Sequence, residues 1–171
     1  MKRFLIILSA IFAVSFFTGC GGTKVSLPQG VSSDIAVLSL GADTSKLNPD
    51  QVALLNQTLN WMDRNLMQAL GRKGFQPTRI NTENEFAGAG NSYLLKMAIT
   101  DHKMIPKGVR FMVGMMGGAD RLGVHYELVD QDRKTVLAWD DTQGSTKGGT
   151  YCAQTLNRNA VEKIANFLSN S

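Results

Sequence analysis

Cysteine, histidine and proline are scarce in this sequence, at two, two and four residues among 171. Two cysteines permit at most one internal disulfide, so a disulfide-stapled scaffold is excluded and a hydrophobic core must carry stability. Two histidines, without a His-Glu-x-x-His or similar spacing, leave no recognisable metal site. Basic runs are missing as well. Arg72-Lys73 and Arg133-Lys134 are isolated pairs beside glycine or aspartate, and a nucleic-acid footprint needs a clustered basic face. No Gly-x-Ser-x-Gly elbow, phosphate-binding loop or dinucleotide fingerprint occurs, so the common nucleophile and nucleotide motifs are absent. We expect no cofactor, no metal and no nucleic-acid partner.

One long hydrophobic run is present, at the very start. Lys2 and Arg3 precede an almost purely apolar stretch from Phe4 to Phe17. It falls short of the roughly 20 residues a spanning helix needs and suits a secretory signal. It closes on Phe17-Thr18-Gly19-Cys20, which resembles the lipobox of bacterial lipoproteins, with phenylalanine where leucine is usual. The small Gly19 admits a peptidase and the Cys20 thiol is the group to be lipidated. We therefore expect a signal peptide over 1–19, a lipidated Cys20 with a tether over 20–31, and a single periplasmic domain over 32–171. The tether, "GGTKVSLPQG", is small, polar and broken by Pro28. Loss of the signal removes Lys2 and Arg3 from 18 basic residues against 14 acidic ones, leaving a mature charge of about +2. Gly21 in place of aspartate favours the outer membrane, so the expected location is its periplasmic face. Lipidation at Cys20 would also leave Cys152 as the sole thiol of the domain.

Within the domain, "DIAVLSLG" (Asp34–Gly41) reads as a buried strand. Asn48-Pro49 with Gln51 forms a capping box with proline at the first helical position. Val52, Leu55, Leu59, Met62, Leu66 and Leu70 continue it as one apolar stripe, closed by Gly71 and Gly74. "FQPTRI" reads as an edge strand because of Pro77, and residues 81–92 as a loop. "YLLKMAITDHKM" and "LGVHYELVD" alternate, and "TVLAWDD" returns as a hairpin partner across a polar turn at 130–134. After a glycine-rich loop, Thr150 is placed to cap a last helix with Leu156, Ala160, Ile164 and Leu168 inward. The predicted order is β-α-β-β-β-β-α. It defines an α+β fold, a two-layer α/β sandwich with a mainly antiparallel sheet and two helices on one face.

The middle of the chain carries a more specific pattern. A strand ending "IT" precedes "GVRFMVGMMGGADRLGVHYELVDQDRKTVLA". This order of arginine, apolar-glycine segment, alternating strand and hairpin resembles the bacterial lipoproteins grouped as domain of unknown function 4410. That family commonly has Gly-aromatic-Gly-x-Gly where this chain has Gly114-Met115-Met116-Gly117-Gly118. The resemblance implies the fold and an envelope location, and implies no activity.

Two readings of "RFMVGMMGGADRLG" remain. The glycines can serve a sharp bend between strands. Alternatively, exposed methionines form an adaptable protein-docking surface, since methionine repacks readily. Alternation turns Phe111 and Val113 inward and leaves Met112, Met115 and Met116 as contact residues, bracketed by the charges of Arg110 and Asp120. Cys152, on the apolar stripe of the last helix, reads as a buried structural thiol; His102 and His125 read as surface side chains. The function expected is a non-enzymatic, membrane-anchored envelope lipoprotein, an accessory or assembly subunit docking to another envelope protein. The alternative is a small-molecule or glycan-binding lipoprotein that uses the sheet face opposite the helices. The two differ in whether an apolar patch or a concave pocket is found.

Overall fold

The computed structural model describes residues 33–105 and 118–170. The signal, the tether with Cys20, and Arg110, Phe111, Met112, Val113, Met115 and Met116 all lie outside the described residues.

The elements run β1 (Asp34–Ala42), α1 (Pro49–Lys73), β2 (Gln76–Ile80), a single 3-10 turn (Glu83–Glu85), β3 (Ser92–Lys103), β4 (Asp120–Val129), β5 (Thr135–Ser145) and α2 (Gly149–Ser169). This is the predicted order, folded as two layers. The five strands lie in the order β2-β1-β3-β4-β5. The sheet is mixed: β1 pairs in parallel with both β2 and β3, while β3-β4 and β4-β5 are antiparallel. The longer pairings are the antiparallel ones, as expected, and β2 is parallel to β1 because α1 is a crossover helix. A strand that returns through a helix packed on the sheet enters beside its predecessor in the same direction.

α1 begins as its residues dictate. Gln51 N–H donates to Asn48 Oδ1 at 2.9 Å, and Gln51 Oε1 accepts the Asn48 N–H at 3.0 Å. Leu55, Met62, Leu66 and Leu70 are buried on the sheet side. The helix runs through Gly71 and stops at Gly74, whose φ of 104° places it in the left-handed region. Gly71 has no such role. α2 starts earlier than Thr150 allows, with Gly148 as its cap and no side-chain capping bond. Gly149 has no room for a side chain, since an added Cβ would sit 2.5 Å from Met104 Sδ. Close packing under Met104, not a polar cap, sets this helix start.

Ile35 and Val37 of β1, Leu95 and Met97 of β3, Leu122, Val124, Tyr126 and Leu128 of β4 and Trp139 of β5 meet α1 and α2 in the main core. Full burial of such side chains contributes about 1.5–3 kcal/mol each. The opposite face is only partly open. Leu38, Ile80, Leu94 and Val129 form a second cluster capped by Phe86. Residues 81–92 are thus more than a loop: the Thr82–Glu85 capping box shapes a turn that drops Phe86 onto the back of the sheet.

Candidate functional site

The topology separates two ends of the domain. At one end, Ser33, the first described residue, leads into β1; its carbonyl accepts the Gln76 N–H at 3.1 Å and its Oγ accepts from Asn91 Nδ2 at 2.9 Å. β3 starts here too, because Asp34 is in register with Ser92. At the other end β3 finishes and β4 begins, with Lys103 opposite Arg121. At about 3.3 Å per residue the two ends are on the order of 35 Å apart. Ile105 and Gly118, which flank the methionine-glycine segment, therefore stand at the end remote from Ser33.

Asp120 is not presented as a surface charge. It is 3% exposed and its Oδ1 accepts the Ile105 N–H at 2.9 Å. The carboxylate is spent on holding the two flanks of the segment together. Its main-chain carbonyl also lies 3.7 Å from Cys152 Sγ. Cys152 itself is fully buried, as expected of a structural thiol.

The face of the sheet away from the helices carries paired charges. Register places Ala98, His125 and Asp140 in one row and Lys96, Glu127 and Ala138 in the next. His125 Nδ1 lies 2.9 Å from Asp140 Oδ1. Lys96 Nζ reaches Glu83 at 2.9 Å and Glu127 at 3.3 Å, and Arg121 pairs with Asp101. The hydrogen bond to Glu83 is the main reason the Lys96 ammonium holds its proton above the ordinary lysine range, followed by the bond to Glu127. Both histidines are half-exposed, and among the described residues no cluster of three or more His, Cys, Asp or Glu has metal-binding geometry. Asp140 and Asp141 do not end their strand, as the sequence had suggested. β5 continues to Ser145, with Asp140 facing His125 and Asp141 accepting from Asn159 Nδ2 at 3.1 Å. The hairpin register that creates these pairs is invisible in either strand alone.

A groove of about 360 Å³ opens instead on the helical layer, between the outer flanks of α1 and α2. Arg72 and Arg158 border it, and Tyr151, 40% exposed, stands at one end. Sequence reading took Arg72 only as part of an isolated basic pair and did not single out Arg158 or Tyr151. The signal was a tyrosine and an arginine on the polar side of the last helix, which reads by itself as an ordinary solvated face.

The arrangement defines an α+β sandwich with Ser33 at one end, the β3-β4 connection at the other and no constellation of catalytic type among the described residues. Neither a scan against protein-family models nor a search of curated proteins finds a match. Among solved structures, a PelC dodecamer from Paraburkholderia phytofirmans is similar, with a TM-score of 0.55 and 20% identity over 82% of this chain and 93% of that one. A leucine-to-methionine variant of the same PelC dodecamer gives 0.50 and 20%, over 80% and 90%. At that identity the similarity establishes the shared fold. Among the described residues no helix is long and apolar enough to cross a membrane.

Proposed function

We propose that this chain is a lipid-anchored envelope lipoprotein without enzymatic activity, an accessory or assembly subunit that docks to another envelope protein. The lipobox-like Phe17–Cys20 supplies the anchor, and the expected place is the periplasmic face of the outer membrane. Two or more acyl chains on Cys20 hold a protein stably where one does not. The observation that carries the docking reading is the opposition of the two ends. The proposed tether joins at Ser33, and the flanks of the methionine-glycine segment, Ile105 and Gly118, lie at the opposite end of the sheet. Met112, Met115 and Met116, with Arg110, are the contact residues in this reading; Asp120 holds the Ile105 flank through the Ile105 N–H. The resemblance to the lipoproteins of domain of unknown function 4410 agrees with it. PelC, whose fold is similar, is described as a dodecamer, so a second copy of this chain belongs among the partners to be tested. The ligand-binding alternative has less behind it, because the sheet face chosen for it is part-covered by Phe86 and laced with paired charges.

The test replaces Met112, Met115 and Met116 with glutamine in the full-length protein in cells. Crosslinking and mass spectrometry then read the partner, and a thermal melt reads the fold. Unchanged melting with loss of the crosslinked species, whether a different protein or a second copy, supports docking. A fall in melting temperature of many degrees shows that the methionines are core and refutes it. Cys20→Ala tests the anchor separately: processing and fractionation like wild type would sink the lipoprotein reading.

A further inference from the structure

α1 and α2 lie side by side and run the same way. Thr58 is beside Gly149, Asn157 Nδ2 donates to the Met62 carbonyl and to Asn65, and Lys73 pairs with Glu162. The groove between them is floored by Ala69 and the buried Val161. Glu162 is the one acidic residue lining it, and Lys73 Nζ neutralises it at 2.7 Å. Arg72 on one helix and Arg158 on the other are exposed, and neither is paired with a carboxylate among the described residues. A cation in the last turn of α1 is explained by the helix dipole, which favours positive charge there. That accounts for Arg72. It does not account for Arg158, ten residues into α2 and facing the same hollow.

We propose that this groove binds a phosphate group carried on a small organic moiety. Two guanidinium forks approaching from different helices suit phosphate oxygens, which they can grip bidentately. The floor of Ala69 and Val161 offers apolar cover for the carbon part of the ligand, and the Tyr151 ring at one end already carries the Lys147 ammonium at 4.7 Å. The volume is within the lower range of small-molecule sites. The phosphate has two possible sources, a soluble phosphate ester or a phospholipid headgroup. Placement favours the headgroup. Arg72 and Lys73 close the helix whose next strand begins at Gln76, the residue bonded to Ser33 at the tether end. A linker of the length from Cys20 to Ser33 would have a typical reach of about 20 Å. The choice of source rests on the lipid anchor proposed above; the phosphate chemistry does not.

The experiment uses the full-length processed protein. In neutral detergent it is titrated calorimetrically with glycerol phosphate at constant ionic strength. Saturable binding is expected, weakened at least about ten-fold by Arg72→Gln with Arg158→Gln and unchanged by Arg64→Gln, an exposed arginine outside the groove. In a second arm the protein sits in vesicles of phosphatidylcholine alone or with phosphatidylglycerol, and phenylglyoxal modification of Arg72 and Arg158 is read by mass spectrometry. Protection that grows with phosphatidylglycerol identifies the headgroup as source; binding of glycerol phosphate without such protection identifies a soluble ester. The absence of both saturable glycerol phosphate binding and protection by phosphatidylglycerol overturns the proposal. So does equal binding by the double variant, or an equal loss in Arg64→Gln, which would indicate diffuse charge alone. Failure of Cys20 to be lipidated would remove the membrane but leave the glycerol phosphate result standing.

Discussion

Tyr126 offers a sharp energetic test of this core. Its ring is fully buried and stacked on Trp139, with centroids 4.8 Å apart and planes 14° apart. Among the described residues its hydroxyl has no hydrogen-bond partner. A buried hydroxyl that surrenders water without a replacement costs about 1–3 kcal/mol. Tyr126→Phe keeps the ring and the stack and removes only the orphaned oxygen. We expect the variant to be more stable by about 1 kcal/mol, or roughly 3 °C in melting temperature for a domain of this size. Alkali sharpens the test. Burial, and then the charge of Asp141, push the Tyr126 hydroxyl well above the ordinary tyrosine range. Below about pH 10 the tyrosine is neutral in both states and this stability is fully present. Above it, the unfolded chain ionises while the buried phenol stays protonated. The wild type then loses about 1.4 kcal/mol per pH unit from this group until the folded value is reached. Lys96, also raised, is retained in both proteins and cancels in the comparison. The gap between variant and wild type should therefore be flat to pH 10 and widen beyond it, as read by urea denaturation at each pH. A variant less stable than wild type at neutral pH would refute the reasoning, because it would mean that the hydroxyl makes a favourable bond.

Three further outcomes follow from the packing. Gly88 has φ +61°, and a Cβ there would meet the Gln131 carbonyl oxygen at 2.6 Å, so Gly88→Ala should cost about 2 kcal/mol in denaturant melts; a loss under about 0.5 kcal/mol would contradict the strained geometry. Cys152→Ala should cost about 1 kcal/mol, and the native thiol should react slowly with maleimide, prompt labelling being the contrary result. Asp63 is 7% exposed and accepts from Ser39 Oγ at 2.6 Å while pairing with Arg79 at 2.9 Å. Asp63→Ala should therefore destabilise by about 1–2 kcal/mol, and a neutral result would show that water replaces both partners.

Much of the scaffold was legible because its signals are local. The Asn48–Gln51 box, the stripe of α1 and the alternation of β4 each lie within a few residues of the backbone they shape. The 130–134 turn is equally local: the Asp130 carboxylate receives the N–H groups of Asp132 and Lys134, both at 2.9 Å. The misjudged boundaries were those set from outside the segment. Gly71 and Gly74 look alike in sequence, yet only Gly74 adopts the left-handed turn, where its N–H meets the Gly71 and Leu70 carbonyls. The start of α2 was missed because Met104, some 45 residues earlier, packs against Gly149 and defines it. Asp120 looked like a surface charge, and its burial comes from the Ile105 N–H across the connection.

The sequence alone determined the order of elements, the two-layer arrangement and the apolar faces of strands and helices, since periodicity and turn chemistry act over short distances. Only the tertiary structure decided strand direction and neighbours, placing β1 between β2 and β3. It alone brought Phe86 onto the back of the sheet, aligned His125 with Asp140, and drew Arg72 and Arg158 to one groove. These are meetings of residues remote in the chain, and no local pattern encodes them because their geometry exists only once the core has closed.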